Sequence, residues 1–226
     1  MRSYHQFCPM AAALDAIGER WALLVVRELI LGPRAFTQLV AALPGIGTDI
    51  LTARLRRLED TSVIERLGTG RRRHYGLTDD GHALQATLAE LARWGASRLP
   101  PPSRLDDVRT RTALTALLID PPPLPTEVDG HYEIRADDET ARIIVTDGKL
   151  TVDPTDPSSP QTRSDSPQTI IELTAPGLRA LAAGARASQL IQDRQLAITG
   201  QRRQTRALID RLAGPAALTQ ALRGHA

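Results

Sequence analysis

The chain has 226 residues, 42% of them apolar and 24% charged, with 28 basic against 26 acidic side chains; this is an ordinary globular composition, long enough for two domains, and its net charge singles out no partner. The longest unbroken apolar run, residues 21–26, is far below the roughly 18 residues of a membrane-spanning helix, and no basic segment followed by an apolar one opens the chain, so neither a span nor a secretory leader is expected. A single cysteine, Cys8, excludes an internal disulfide and fits a reducing, cytoplasmic setting.

From the amino terminus, residues 9–17 read as a short helix closed by Gly18. Residues 19–31 place Trp21, Leu24, Val25 and Leu29 at helical spacing before Gly32-Pro33 stops them. Residues 37–43 form a third helix with Thr37 as N-cap, Pro44-Gly45-Ile46-Gly47 a tight turn, and residues 48–60 a fourth helix. Residues 64–67 and 73–77 read as short strands joined through Gly68-Thr69-Gly70, and Thr78 caps a long helix to about Leu99. Pro100-Pro101-Pro102 then marks a boundary between one domain over residues 1–100 and another over 104–226. In the second, residues 108–118 are helical. Residues 131–135, 143–146 and 150–152 read as strands, with turns at Asp137-Asp138 and Asp147-Gly148. A loop with Pro154, Pro157 and Pro160 follows. Residues 169–173 are a strand, 175–183 and 187–192 helices, 196–199 a strand and 201–213 a closing helix. Short strands grouped between helices predict an α+β domain with a small antiparallel sheet, behind a mainly α first domain.

Two helices joined by a Gly-containing turn of about four residues, 37–43 and 48–60, make a helix-turn-helix, whose second helix enters the DNA major groove. On that helix Leu51, Leu55 and Leu58 fall on one stripe and pack inward, while Asp49, Thr52, Ala53 and Arg56 point the other way. Thr48 stands at its amino end. Arg56 suits guanine O6 and N7, Thr52 a thymine methyl or a phosphate, and Arg54 and Arg57, flanking the stripe, reach for phosphates. Residues 66–75 hold four arginines and no acid. The hairpin tip sets Arg71, Arg72 and Arg73 beside the duplex as a wing, with Tyr75 and Leu77 packing back on the core.

These residues resemble a known family. Cys8-Pro9, Ala13-Leu14-Asp15, Ile17-Gly18, Arg20-Trp21, Leu23-Leu24, Arg27-Glu28-Leu29, Gly32-Pro33-Arg34 and Phe36 follow the pattern of HxlR-type winged-helix transcription regulators. So do Leu43-Pro44-Gly45-Ile46, Leu51-Thr52, Leu55, Leu58-Glu59, Ile64-Glu65-Arg66, Tyr75, Leu77-Thr78 and Gly81. The resemblance covers about residues 5–98 and implies a homodimer held by its terminal helices, reading two half-sites of a double-stranded operator, with repression by occlusion. Asp49 stands where a polar or basic residue is usual, Gly47 replaces a frequent serine, and arginines occupy a wing where prolines are common.

Cys8 matches an amino-terminal cysteine that senses oxidants in some members; a sensor needs a lowered pKa and exposure, and the start of a helix favours the thiolate. A packed thiol near the dimer interface is the competing reading. From about Arg104 the chain resembles the sterol-carrier-protein fold, through Tyr132-Glu133-Ile134, 147–152, 170–173, 178–184 and 196–200. That resemblance implies an apolar tunnel able to hold a small-molecule effector; a domain that only packs, widening the dimer or docking a partner, is the competing reading. No phosphate-binding loop, nucleophile elbow or zinc-binding His pair occurs, and the five histidines are scattered. No enzyme, metal or cofactor is expected. The expectation is a cytoplasmic, dimeric, DNA-binding transcription regulator; the alternative is an apolar-ligand carrier whose winged helix is only a dimer scaffold.

Overall fold

The computed structural model describes residues 3–68, 73–96, 98, 109–153 and 169–213. The chain divides into two compact units, Met1–Leu88 and Ala89–Ala226. The triple proline expected at the domain boundary and the loop of Pro154, Pro157 and Pro160 lie outside the described residues.

In the first unit, α1 (Pro9–Ile17) opens with proline at its first position, where the missing N–H has no intrahelical partner to lose. α2 (Ala22–Leu29) is shorter than the apolar spacing predicts. Trp21 holds φ 80° just before it, a left-handed setting that costs a side-chain-bearing residue roughly 1–2 kcal/mol and keeps Trp21 out of the helix. A two-residue strand, β1 (Arg34–Ala35), leads into α3 (Phe36–Ala42). There the Ala35 N–H donates to the Gln38 side chain at 2.8 Å, so Thr37 lies inside the helix and is not its cap. α4 (Thr48–Asp60) has the predicted bounds, and Gly45, at φ 85°, makes the turn before it. β2 (Ile64–Leu67) and β3 (His74–Leu77) form an antiparallel hairpin, with β1 on the far side of β3. α5 (Asp79–Ala96) starts at Thr78, whose Oγ1 accepts from the Gly81 N–H at 3.1 Å. A Cβ at Gly81 would stand 2.1 Å from the Val63 carbonyl oxygen. Here glycine is needed because helix and hairpin backbones approach so closely.

The second unit runs α6 (Thr110–Ile119), a 3-10 turn (Thr126–Val128), β4 (Gly130–Ala136), β5 (Glu139–Thr146), β6 (Lys149–Asp153), β7 (Thr169–Leu173), α7 (Ala175–Ala182), α8 (Ala187–Gln192), β8 (Leu196–Thr199) and α9 (Arg202–Leu212). Its five strands lie in the order β6-β5-β4-β7-β8, and β4 pairs with β7 in parallel. The sheet is therefore mixed, not the small antiparallel sheet expected. Apolar alternation says which face of a strand is buried but not which strand lies beside it. Tyr132, Ile134, Ala136, Ala141, Ile143 and Val145 fill one face, under Leu114, Leu118, Leu178 and Ile209 of the helices. Between sheet and helices lies an apolar cavity of about 10 Å³, lined by Leu114, Leu118, Ile134, Ile171, Leu178 and Ile209 among others, room for about one water-sized sphere. On the other face Glu133, 5% exposed, is satisfied by Arg135 at 2.6 Å and Arg142 at 3.0 Å. Among the described residues no helix is long and apolar enough to cross a membrane.

Candidate nucleic-acid interface

The helix-turn-helix is built from its buried side. Leu39, Leu43 and Ile46 anchor α3 and the turn, and Leu51, Leu55 and Leu58 anchor α4, each of the last three at most 1% exposed. Three leucines at i, i+4 and i+7 turn one stripe of α4 inward, which leaves Asp49, Thr52, Ala53 and Arg56 on the exposed side. Thr48 is exposed at the amino end, and Gly47 caps the helix with extended backbone and no side-chain bond. Asp49, in the first turn, faces the positive end of the helix dipole. The Thr52 hydroxyl donates to the Thr48 carbonyl at 2.8 Å, which leaves its methyl and oxygen lone pairs outward.

The arginines of α4 separate by role. Arg56 is exposed, and among the described residues no carboxylate pairs with it. Arg57 is drawn inward and donates to the Asp15 carbonyl near the end of α1, from Nε at 3.2 Å and also from Nη2. The Asp15 carboxylate in turn accepts from Ser3 Oγ at 2.8 Å and the Tyr4 N–H at 3.1 Å. Arg54 pairs with Glu19 at 3.0 Å and is 19% exposed, with its Nε buried and unbonded among the described residues. Both were expected to reach phosphates; both have their guanidinium groups engaged on the chain's own α1 end. Periodicity places these arginines beside the leucine stripe but carries no information on what faces that flank. The Asp15 and Glu19 partners were therefore missed. Ile50, on the same flank and 45% exposed, was also missed; an isoleucine off the buried stripe was the available signal.

The hairpin flank is held likewise. Glu59 of α4 and Arg66 of β2 approach twice at 2.6 Å, and the Arg66 guanidinium lies 5.9 Å from the Tyr75 ring centre. One of the four arginines in the basic stretch thus seats the hairpin on α4. Arg73 is exposed at the start of the return strand. Arg71 and Arg72, expected at the wing tip, lie outside the described residues. Tyr75 and Leu77 are buried. The strip left open between the two braces is Asp49, Thr52, Ala53 and Arg56, with Thr48 at one end.

Cys8 is the N-cap of α1, half-buried, and its side chain makes no capping bond. His82 of α5 has a buried Nε2 with no hydrogen-bond partner among the described residues, and burial lowers its pKa below 6.5 against the opposing pull of Asp79.

Residues 16–103 match the HxlR-like helix-turn-helix family. An uncharacterized HTH-type transcriptional regulator of Bacillus subtilis, YvaP, is 35% identical over 100 residues, which are 42% of this chain and 93% of that protein. A second uncharacterized HTH-type transcriptional regulator, from Mycobacterium tuberculosis, is 40% identical over 93 residues, 40% of this chain and 58% of that one. Among solved structures, the quinone-bound YodB of B. subtilis is 35% identical and covers 39% of this chain and 97% of its own, with a TM-score of 0.36.

Proposed function

This chain belongs to the HxlR-like helix-turn-helix family of transcription regulators, and from that premise we propose that it is a dimeric repressor that reads operator DNA with the open strip of α4. The observation that carries this reading is the exposed Arg56 beside Thr52, unpaired among the described residues, on a helix locked by leucines behind and by arginine bridges on both flanks. Arg56 takes guanine in the major groove and Thr52 a thymine methyl or phosphate, while Thr48 and the helix amino end meet the backbone. Arg73, with Arg71 and Arg72, supplies flanking phosphate contacts. Arg54 and Arg57 act by holding the reading helix in place. Two copies read half-sites about 34–36 Å apart, or a multiple of that spacing.

Selection of bound duplexes from a random pool, at two salt concentrations, tests the reading. A preferred sequence is expected, with two protected patches. Arg56→Ala should weaken it by about 1–3 kcal/mol and relax one position. A single continuous patch, or equal affinity for every duplex, overturns it.

In this proposal the second unit is sterol-carrier-like and takes an apolar effector between sheet and helices. The apolar lining supports that; about 10 Å³ of open space means that the interior must part to admit a ligand. Native mass spectrometry before and after delipidation reads the outcome. A stoichiometric lipid in a chain without DNA affinity would favour the carrier alternative. Cys8 is tested in the same system: an oxidant response of operator binding that is lost in Cys8→Ser makes it the sensor, and an unchanged response removes it.

A further inference from the structure

Charge is divided sharply within the second unit. Residues 101–185 hold eight basic and 14 acidic side chains, whereas residues 186–213 hold six arginines and two aspartates. All six, Arg186, Arg194, Arg202, Arg203, Arg206 and Arg211, are exposed. Among the described residues none of their guanidinium groups has an ion-pair or hydrogen-bond partner. Elsewhere in the unit arginines are paired: Arg111 with Glu139, Arg135 and Arg142 with Glu133. The two aspartates leave a net excess of four positive charges over residues 186–213. Asp210, on α9 itself, accepts the Ala187 N–H at 2.8 Å and so caps α8. Asp193 ends α8.

α9 concentrates the charge. Thr205, Leu208, Ile209 and Leu212 bury one side. Arg202, Arg203 and Arg206 lie three and four residues apart on the other, so their guanidinium groups are neighbours. Like charges at that spacing repel. A polyanion laid along this face removes the repulsion and replaces bound counterions.

We infer that the exposed face of α9, centred on Arg202, Arg203 and Arg206, is a second docking surface for the DNA backbone. It rests on the proposed function, which supplies a duplex held by the same chain. Tethering makes the second contact intramolecular, so weak phosphate contacts add substantially to affinity. The contact is to phosphates and carries no sequence information.

The test uses the full chain and two probes: the minimal duplex recovered by selection, and that duplex extended by about two helical turns at each end. The triple variant Arg202→Gln, Arg203→Gln, Arg206→Gln should bind the extended duplex more weakly. Its slope of log affinity against log salt should fall by up to about 2.7, or about 0.9 for each phosphate no longer neutralised. The triple lysine variant should restore the slope, since docking needs charge rather than guanidinium geometry. An unchanged slope on the extended duplex overturns the inference, even if the glutamine variant loses attraction to vesicles of anionic lipid. The operator reading fails separately. If no duplex is preferred but the slopes still differ on mixed-sequence DNA, that reading falls and this one stands. If Arg56→Ala weakens the selected duplex while the α9 variants match the parent, the reverse holds.

Discussion

Arg56 and Arg57 are adjacent in the chain and opposite in role, because 100° of helical turn takes one to the open strip and the other to the end of α1. The consequence is measurable. Arg57→Met removes charge-assisted bonds to the Asp15 carbonyl and is expected to lower unfolding free energy by about 1–3 kcal/mol in urea. Its operator-binding salt slope should match the parent's; a drop of about 0.9 would mean that Arg57 touches a phosphate after all. Arg56→Ala should do the opposite, with unchanged stability and weaker binding. His82 gives the residue-level pH prediction. Its folded pKa is lowered by burial, so between that value and about 6.5 the unfolded chain binds the proton and the folded chain does not. Stability therefore falls as pH drops through that window, with a slope of at most ~1.4 kcal/mol per pH unit. Urea unfolding at pH 7.5 and below 6 should show a smaller difference in His82→Leu than in the parent.

The elements around the open strip owe their positions to contacts with one another. α4 is held by its leucine stripe from behind, by Asp15 and Glu19 on one flank and by Arg66 on the other. Removing the stripe is costly: Leu55→Ala should destabilise by about 2–5 kcal/mol, because a fully buried side chain leaves a cavity. The junction of hairpin and α5 is equally intolerant for another reason. With the Val63 carbonyl 2.1 Å from a Gly81 Cβ, Gly81→Ala must push hairpin and helix apart. About 1–3 kcal/mol is expected, read as a lower thermal midpoint. Leu55→Ala should also loosen the seating of Arg56, and so lose operator affinity beyond its loss of folded protein.

For the molecule as a whole, the exposed apolar side chains bear on assembly. Phe7, Met10 and Leu14, three and four residues apart, lie on the outer side of the N-terminal segment and α1, and Leu91 and Trp94 are exposed on α5. In the proposed dimer these helices meet their counterparts in a second copy. Met10→Glu with Leu14→Glu should then shift sedimentation from dimer to monomer. Operator affinity should fall with it, since the two half-sites would no longer be bound by one particle. A parent chain that sediments as a monomer at micromolar concentration would sink the dimer.

Much of this was legible in the residues. The leucine stripe set the bounds and the orientation of α4, because a 3.6-residue period and burial leave one solution. Turn chemistry marked the turns at Asp137-Asp138 and Asp147-Gly148, but β1 was not foreseen and β5 begins at Glu139, four residues before the predicted start. Strand neighbours were not legible: the parallel pairing of β4 with β7 joins residues far apart in the chain, and alternation looks the same in either partner. Nor were Asp15 and Glu19 legible as the partners of Arg57 and Arg54, since a carbonyl or carboxylate from a distant turn leaves no periodic trace. Local order is written in spacing along the chain. Which charge is held and which is free to meet a ligand depends on what packing brings alongside, and only the tertiary structure decides that.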